Sequence, residues 1–186
     1  MSPAQPMPPK PQPRIAKKAA PPPSPRIRVI VADTQAIDRG GLVGLIDGER
    51  DLEVVGESAT VEETIRQCAT LKPDVLVMAM GLSGQEPKPA LKAIREVLPE
   101  LRVLALADRP ADRCVVLNPP SRHPRPGETV PACTVGTDCL RLAVVHGAMA
   151  TLRRSADPEE MFRAIRAVAE GNAWFDSGTA DLIRND

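Results

Sequence analysis

The chain has 186 residues, room for one domain of ordinary size plus a tail. Its 24 basic and 24 acidic side chains cancel, but Lys10, Arg14, Lys17, Lys18, Arg26 and Arg28 fall within the first 32 residues with no acid among them, so a basic arm precedes an acidic body. No apolar run approaches the roughly 20 residues of a membrane helix, and the basic N-terminus lacks the apolar stretch of a secretory signal. The expectation is no membrane association and a cytoplasmic location, where Cys68, Cys114, Cys133 and Cys139 stay reduced.

Residues 1–25 hold ten of the 21 prolines, interleaved with Ala, Gln, Lys and Ser. Such a segment buries too little apolar surface to offset the entropy of ordering, which predicts a disordered, partly polyproline-II arm. From Arg26 the pattern changes. Ile27–Ala32 is a β-branched apolar run ending at Asp33, and similar runs recur at Leu52–Val55, Asp74–Ala79, Arg102–Ala107 and Met149–Leu152. Apolar strands without polar alternation predict a parallel sheet covered on both faces.

Helical segments lie between these runs. Thr60-Val61-Glu62-Glu63 has the form of a capping box, followed by Val61, Ile65, Cys68 and Ala69 on one face and Pro73 at the exit. Leu91, Ile94, Val97 and Leu98 make a second stripe closed by Pro99. A helix over Asp138–His146 places His146 where the helix dipole favours a cation. Asp157-Pro158-Glu159-Glu160 opens the last helix, with Met161, Ile165, Val168 and Ala169 inward and Gly171 free to take a left-handed cap. Trp174 and Phe175 are expected to cover the end of that helix. The alternating order predicts a doubly wound α/β domain over 26–176, with function at the carboxyl ends of its strands and a tail over 177–186.

These residues resemble a known family. Ile27–Asp33, Arg39-Gly40-Gly41-Leu42, Leu52–Glu57, Lys72–Met78, Pro99–Leu104 and Ala156–Gly171 are similar, in order and spacing, to the receiver domains of NarL/FixJ-type response regulators. The resemblance implies a flavodoxin/CheY-like (βα)5 fold, a five-stranded parallel sheet of order 2-1-3-4-5. It also implies a phosphorylation pocket, which this chain carries in degenerate form. Ala79 stands where the attacking carboxylate belongs, and a methyl group cannot attack phosphorus. Asp33 matches the first Mg²⁺-binding acid, but Thr34 replaces the second. Ala107 replaces the switch hydroxyl and Arg154 the lysine, keeping charge but not point-donor geometry. Asp33 is therefore expected to be a surface or loop carboxylate paired with Arg154, with no metal and no cofactor.

Ala107 and Gly147 stand 40 positions apart, about 25 more than the family's spacing, a length at which a loop is either functional or disordered. The insertion, at about 109–137, contains prolines that oppose a long helix, the apolar Val115-Val116-Leu117, and basic Arg122 and Arg125. Cys114, His123, Cys133 and Cys139 have zinc-ligating chemistry, but no paired spacing supports it, and ordinary buried or loop cysteines are the favoured reading.

The resemblance implies no enzyme. It implies a phosphorylation-independent regulatory module in signalling or transcriptional control, acting by protein–protein contact, with another protein or, in a homodimer, with a second copy of itself as the partner. The expected partner surface comprises Val115, Val116, Leu117, Arg122, Arg125 and Arg163. A structural or assembly subunit using arm and insertion for docking is the alternative. A truncated response-regulator transcription factor is another, because family members append a helix-turn-helix that is not found before Asp186; direct nucleic-acid binding is therefore not expected of this segment.

Overall fold

The computed structural model of the chain describes residues 25–82, 90–107 and 140–175. The N-terminal arm up to residue 24, the insertion at 109–137 and the tail at 177–186 lie outside the described residues. In chain order the elements are β1 (Ile27–Ala32), α1 (Ala36–Asp47), β2 (Leu52–Ser58), α2 (Val61–Leu71), β3 (Val75–Ala79), α3 (Ala90–Val97), β4 (Val103–Ala107), α4 (Leu140–Val145), β5 (Ala150–Arg153), α5 (Pro158–Ala169) and β6 (Trp174–Phe175). All strands are parallel, in the order β2-β1-β3-β4-β5-β6.

The sheet is dry on both faces, as its unbroken apolar strands require. Ile30, Leu76, Met78, Val103 and Ala105 pack under α2, α3 and α4, against Cys68, Leu91, Ile94 and Ala143. Val29, Val31, Val77, Leu104 and Leu152 pack under α1 and α5, against Ile46, Met161, Phe162 and Ile165. Burial pushes the Cys68 thiol up to about 12, so it behaves as a small inert apolar side chain.

Thr60 caps α2 by accepting from the Glu63 amide at 3.2 Å, while the Glu63 carboxylate accepts from the Ala59 amide at 3.1 Å. Asp157 caps α5 by accepting from the Glu159 amide at 2.8 Å, with Pro158 at the first helical position and Gly171 at φ +89° beyond the end. Arg166 on α5 pairs with Glu49 at 2.6 Å and Asp51 at 2.7 Å, pinning that helix to the α1–β2 turn and holding the Asp51 carboxyl below its ordinary range.

Four expectations are corrected. Trp174 and Phe175 do not simply cover a helix end: they form a sixth strand, pairing Ala150 with Trp174 and Thr151 with Phe175. The third strand begins at Val75 and the fourth at Val103, and β2 runs on to Ser58, with a register shift opposite Val29/Ile30 that skips Val55. The buried face of α2 turns toward Thr64, leaving Ala69 exposed; on α3 Ala90 is buried while Val97 is 56% exposed. Thr64 is drawn inward because its hydroxyl is satisfied there, by Ser58 at 2.7 Å and the Thr60 carbonyl at 2.7 Å. Finally, burial, reinforced by Lys92, lowers the His146 pKa, opposing the cation that the helix end alone would favour.

Two outcomes test this packing. Ile165→Ala should cost about 2–5 kcal/mol in urea unfolding, whereas Val97→Ala should stay within about 0.5 kcal/mol. Because the folded His146 pKa is depressed, the unfolded chain takes up that proton first, so stability should fall as pH drops through and below about 6.5. His146→Gln should flatten that part of the stability–pH curve; an unchanged slope would show that His146 does not contribute to it.

Candidate functional site

Strand register gathers the site. Ala32 pairs with Met78, Ala79 with Leu106 and Ala107 with Arg153, so Asp33, Thr34, Ala79, Ala107 and Arg154 collect at the carboxyl ends of four neighbouring strands. The Arg154 amide donates to the Ala107 carbonyl at 3.1 Å, which fixes the start of the β5–α5 connection over the pocket. Ala79 and Ala107 are buried and present only methyl groups.

Asp33 is 1% exposed, so the surface or loop carboxylate expected from sequence is in fact a core one. Its amide donates to the Ser58 carbonyl at 3.0 Å and its Oδ1 accepts from the Gln35 amide at 2.8 Å. Its Oδ2 lies 2.7 Å from Arg154 Nη1, an ion pair by distance, with no hydrogen-bond donor aligned on it among the described residues. The same Nη1 reaches Asp38 Oδ2 at 3.0 Å. One guanidinium therefore sits between a buried carboxylate and a half-exposed one.

Arg39 adds a second clamp. It donates from Nη1 to the Asp33 carbonyl at 2.7 Å and from Nε to Glu57 at 3.0 Å, tying α1 to the ends of β1 and β2. Thr34 is exposed and its hydroxyl donates to the Gly81 carbonyl at 3.4 Å, closing the β3 end toward β1.

The donor set does not fit Mg²⁺. A hard dication needs several oxygen ligands, preferably carboxylates. Here the one matching acid, Asp33, already faces a fixed cation, and the neighbouring position offers a threonine. Among the described residues no three His, Cys, Asp or Glu side chains converge on a common point.

Of the other expected site residues, Arg163 lies on the exposed face of α5. Its Nε donates to the Glu159 carbonyl at 3.3 Å and its guanidinium carbon stands 5.7 Å from the Trp174 ring centre. Val115, Val116, Leu117, Arg122, Arg125, Cys114, His123, Cys133 and Cys139 fall outside the described residues. Sequence reasoning missed Asp38 and the clamping role of Arg39. Asp38 lies 116 positions from Arg154, so nothing local in the sequence signals their contact.

If this ion cluster organises the pocket, Arg154→Ala should cost about 3–5 kcal/mol by stranding the Asp33 carboxylate. Adding Asp33→Asn should return more than about 1 kcal/mol of that loss. Strict additivity in the double-mutant cycle would show that the two side chains are not energetically coupled.

No family model matches the sequence. The chain is 24% identical over 157 residues to the transcriptional regulatory protein LiaR of Bacillus subtilis, matching 84% of this chain and 63% of that protein. It is 28% identical over 158 residues to the uncharacterized transcriptional regulatory protein YxjL of the same organism, matching 85% and 61%. The chain thus spans about three-fifths of these curated relatives. Among solved structures, a LuxR-family two-component response regulator from Aurantimonas sp. SI85-9A1 superposes with a TM-score of 0.62 at 23% identity, covering 86% of this chain and 96% of that one. The signal receiver domain of a response regulator, NarL, from Mycobacterium tuberculosis superposes with a TM-score of 0.59 at 20% identity, covering 80% and 100%. The relatives are response regulators of the LuxR/NarL kind, and the fold is that of their receiver domains. No helix among the described residues is long and apolar enough to cross a membrane.

Proposed function

We propose that this chain is a receiver-like regulatory module of a signalling or transcriptional control system that works without phosphotransfer, through contacts with protein partners. The observation that supports it most is the Asp33–Arg154–Asp38 cluster beside Ala79. The position that would supply an attacking oxygen supplies a methyl group, and the acid that would bind a metal is neutralised by the protein's own guanidinium. The relatives are named as regulatory proteins, which supports a regulatory role over an enzymatic one. In a working switch, phosphoryl charge shifts a two-state equilibrium; here a permanent ion pair holds one arrangement.

The partner element in this reading is the insertion, residues 109–137, with Val115, Val116 and Leu117 as apolar contact and Arg122 and Arg125 as a basic rim for an acidic protein surface. Strand addition to the β5 edge is not part of it, because β6 already pairs with Ala150 and Thr151. Of the expected contact residues, Arg163 lies on the exposed face of α5, with its guanidinium over the Trp174 ring. A second reading is favoured by the length comparison: the chain corresponds to three-fifths of its named transcriptional regulators, as the receiver-like part of a longer regulator would.

Incubation with acetyl phosphate and Mg²⁺ should leave the intact mass unchanged. A stable adduct of about 80 Da on an acidic residue would overturn the proposal. Replacing residues 109–137 by a short Gly-Ser linker should preserve thermal stability and abolish recovery of the native-cell partner; undiminished recovery would remove the insertion from the partner surface.

A further inference from the structure

We propose that the outward strip of α1 is a self-association surface, covered in solution by the same strip of a second copy of this chain. A helix at a protein surface ordinarily turns a polar face to water. The strip on α1 is not polar: Ala36, Ile37, Gly40, Gly41, Gly44 and Leu45 are all exposed, Ile37 to 90%. The inner side is apolar too, with Ile46 buried and Leu42 and Val43 packed against the same core. A helix apolar on all sides is one with something packed on all sides. The three charged residues of α1 are engaged beside the strip. Asp38 accepts from Arg154 at 3.0 Å, Arg39 donates to the Asp33 carbonyl and to Glu57, and Asp47 accepts from the Val54 amide at 2.8 Å.

Charge and shape select a copy of the same chain. Residues 33–186 carry 18 basic and 24 acidic side chains. Two such bodies repel each other, and least so across a strip without charge. Shape agrees. A groove of about 280 Å³ between α1 and the start of α5 opens beside the strip, with Gly41, Leu42 and Leu45 on its α1 side and Met161 across from them. The charges at its rim, Asp38, Arg153 and Arg154 with Asp33 beside them, cancel, so the groove suits a neutral apolar side chain. Ile37 is such a side chain, one turn before Gly41 on the same helix. A knob and a hole one turn apart match a two-fold contact, in which each copy's Ile37 enters the other's groove. At Gly40, Gly41 and Gly44 a Cβ would meet nothing within 4 Å, so a facing helix has room to come close. This inference goes beyond the partner contact proposed at the insertion and stands whether or not that contact exists.

Sedimentation equilibrium and concentration-dependent amide NMR of the full chain test it. A contact of one helix lies at the small end of specific interfaces, so the expected dissociation constant is on the order of tens of micromolar. Amide shifts that move with protein concentration should centre on Ala36–Leu45. Ile37→Glu and, separately, Gly44→Glu should each weaken dimerisation about tenfold or more by setting like charges against each other across the contact. Ile37→Leu, which keeps volume and polarity, should retain the dimer. Both glutamates replace exposed residues with a good helix former, so the fold should be kept and is checked by circular dichroism. A wild-type chain still monomeric at about 0.5 mM would overturn the inference. So would a dimer that either glutamate variant leaves intact, or shifts centred on residues 109–137. Loss of a native-cell partner in Ile37→Glu, with no dimer in the wild type, would give the strip to another protein and equally overturn the self-contact.

Discussion

The Asp33–Arg154 ion pair is the contact on which the carboxyl edge of this sheet depends. A carboxylate that is 1% exposed persists in a dry core only if a positive charge reaches it. Arg154 does so at 2.7 Å from the far side of β5. Because its own amide is held by Ala107, the pair couples β1 to β4, β5 and the entry of α5. Asp38 then draws α1 onto the same guanidinium. One side chain thereby ties β1 and α1 to the end of β5, across 116 positions for the Asp38 contact.

In the proposed reading, this arrangement serves as a structural joint rather than a reaction site. Ala79 presents only a methyl group, so the side chain at that position does not compete with Asp33 for Arg154. A planar, permanently charged guanidinium serves two carboxylates at once, which a lysine ammonium does with less geometric definition. The cost is the desolvation of a charge pair, and the return is specificity of geometry: a buried pair is easily broken by removing one member and weakly stabilising as a whole. In the proposed reading, regulation comes from what binds the surface, because Asp33 finds its counter-ion in Arg154 within the chain.

Much of the fold was legible in the sequence. Five apolar runs and their intervening capped helices specify a parallel sheet with helices on both faces, and the order 2-1-3-4-5 is present within the observed sheet. Trp174–Phe175 was missed because two residues have no periodicity, and only the open edge of β5 makes them a strand. The inward turn of Thr64 was missed because an apolar pattern cannot anticipate a hydroxyl satisfied by Ser58. The pocket positions were readable from neighbouring motifs, but the burial of Asp33 and the arrival of Asp38 were not, since both depend on contacts across more than a hundred residues.

The most direct test of a pocket closed by its own arginine is amide NMR of the full chain titrated with Mg²⁺ and beryllofluoride, which together present a metal and a phosphoryl-like group. The account predicts no saturable shifts at Asp33, Thr34, Ala79, Ala107 or Arg154. Saturable shifts centred on those residues would contradict it, because they would show that the Asp33–Arg154 pair yields to a metal and an acyl-phosphate mimic.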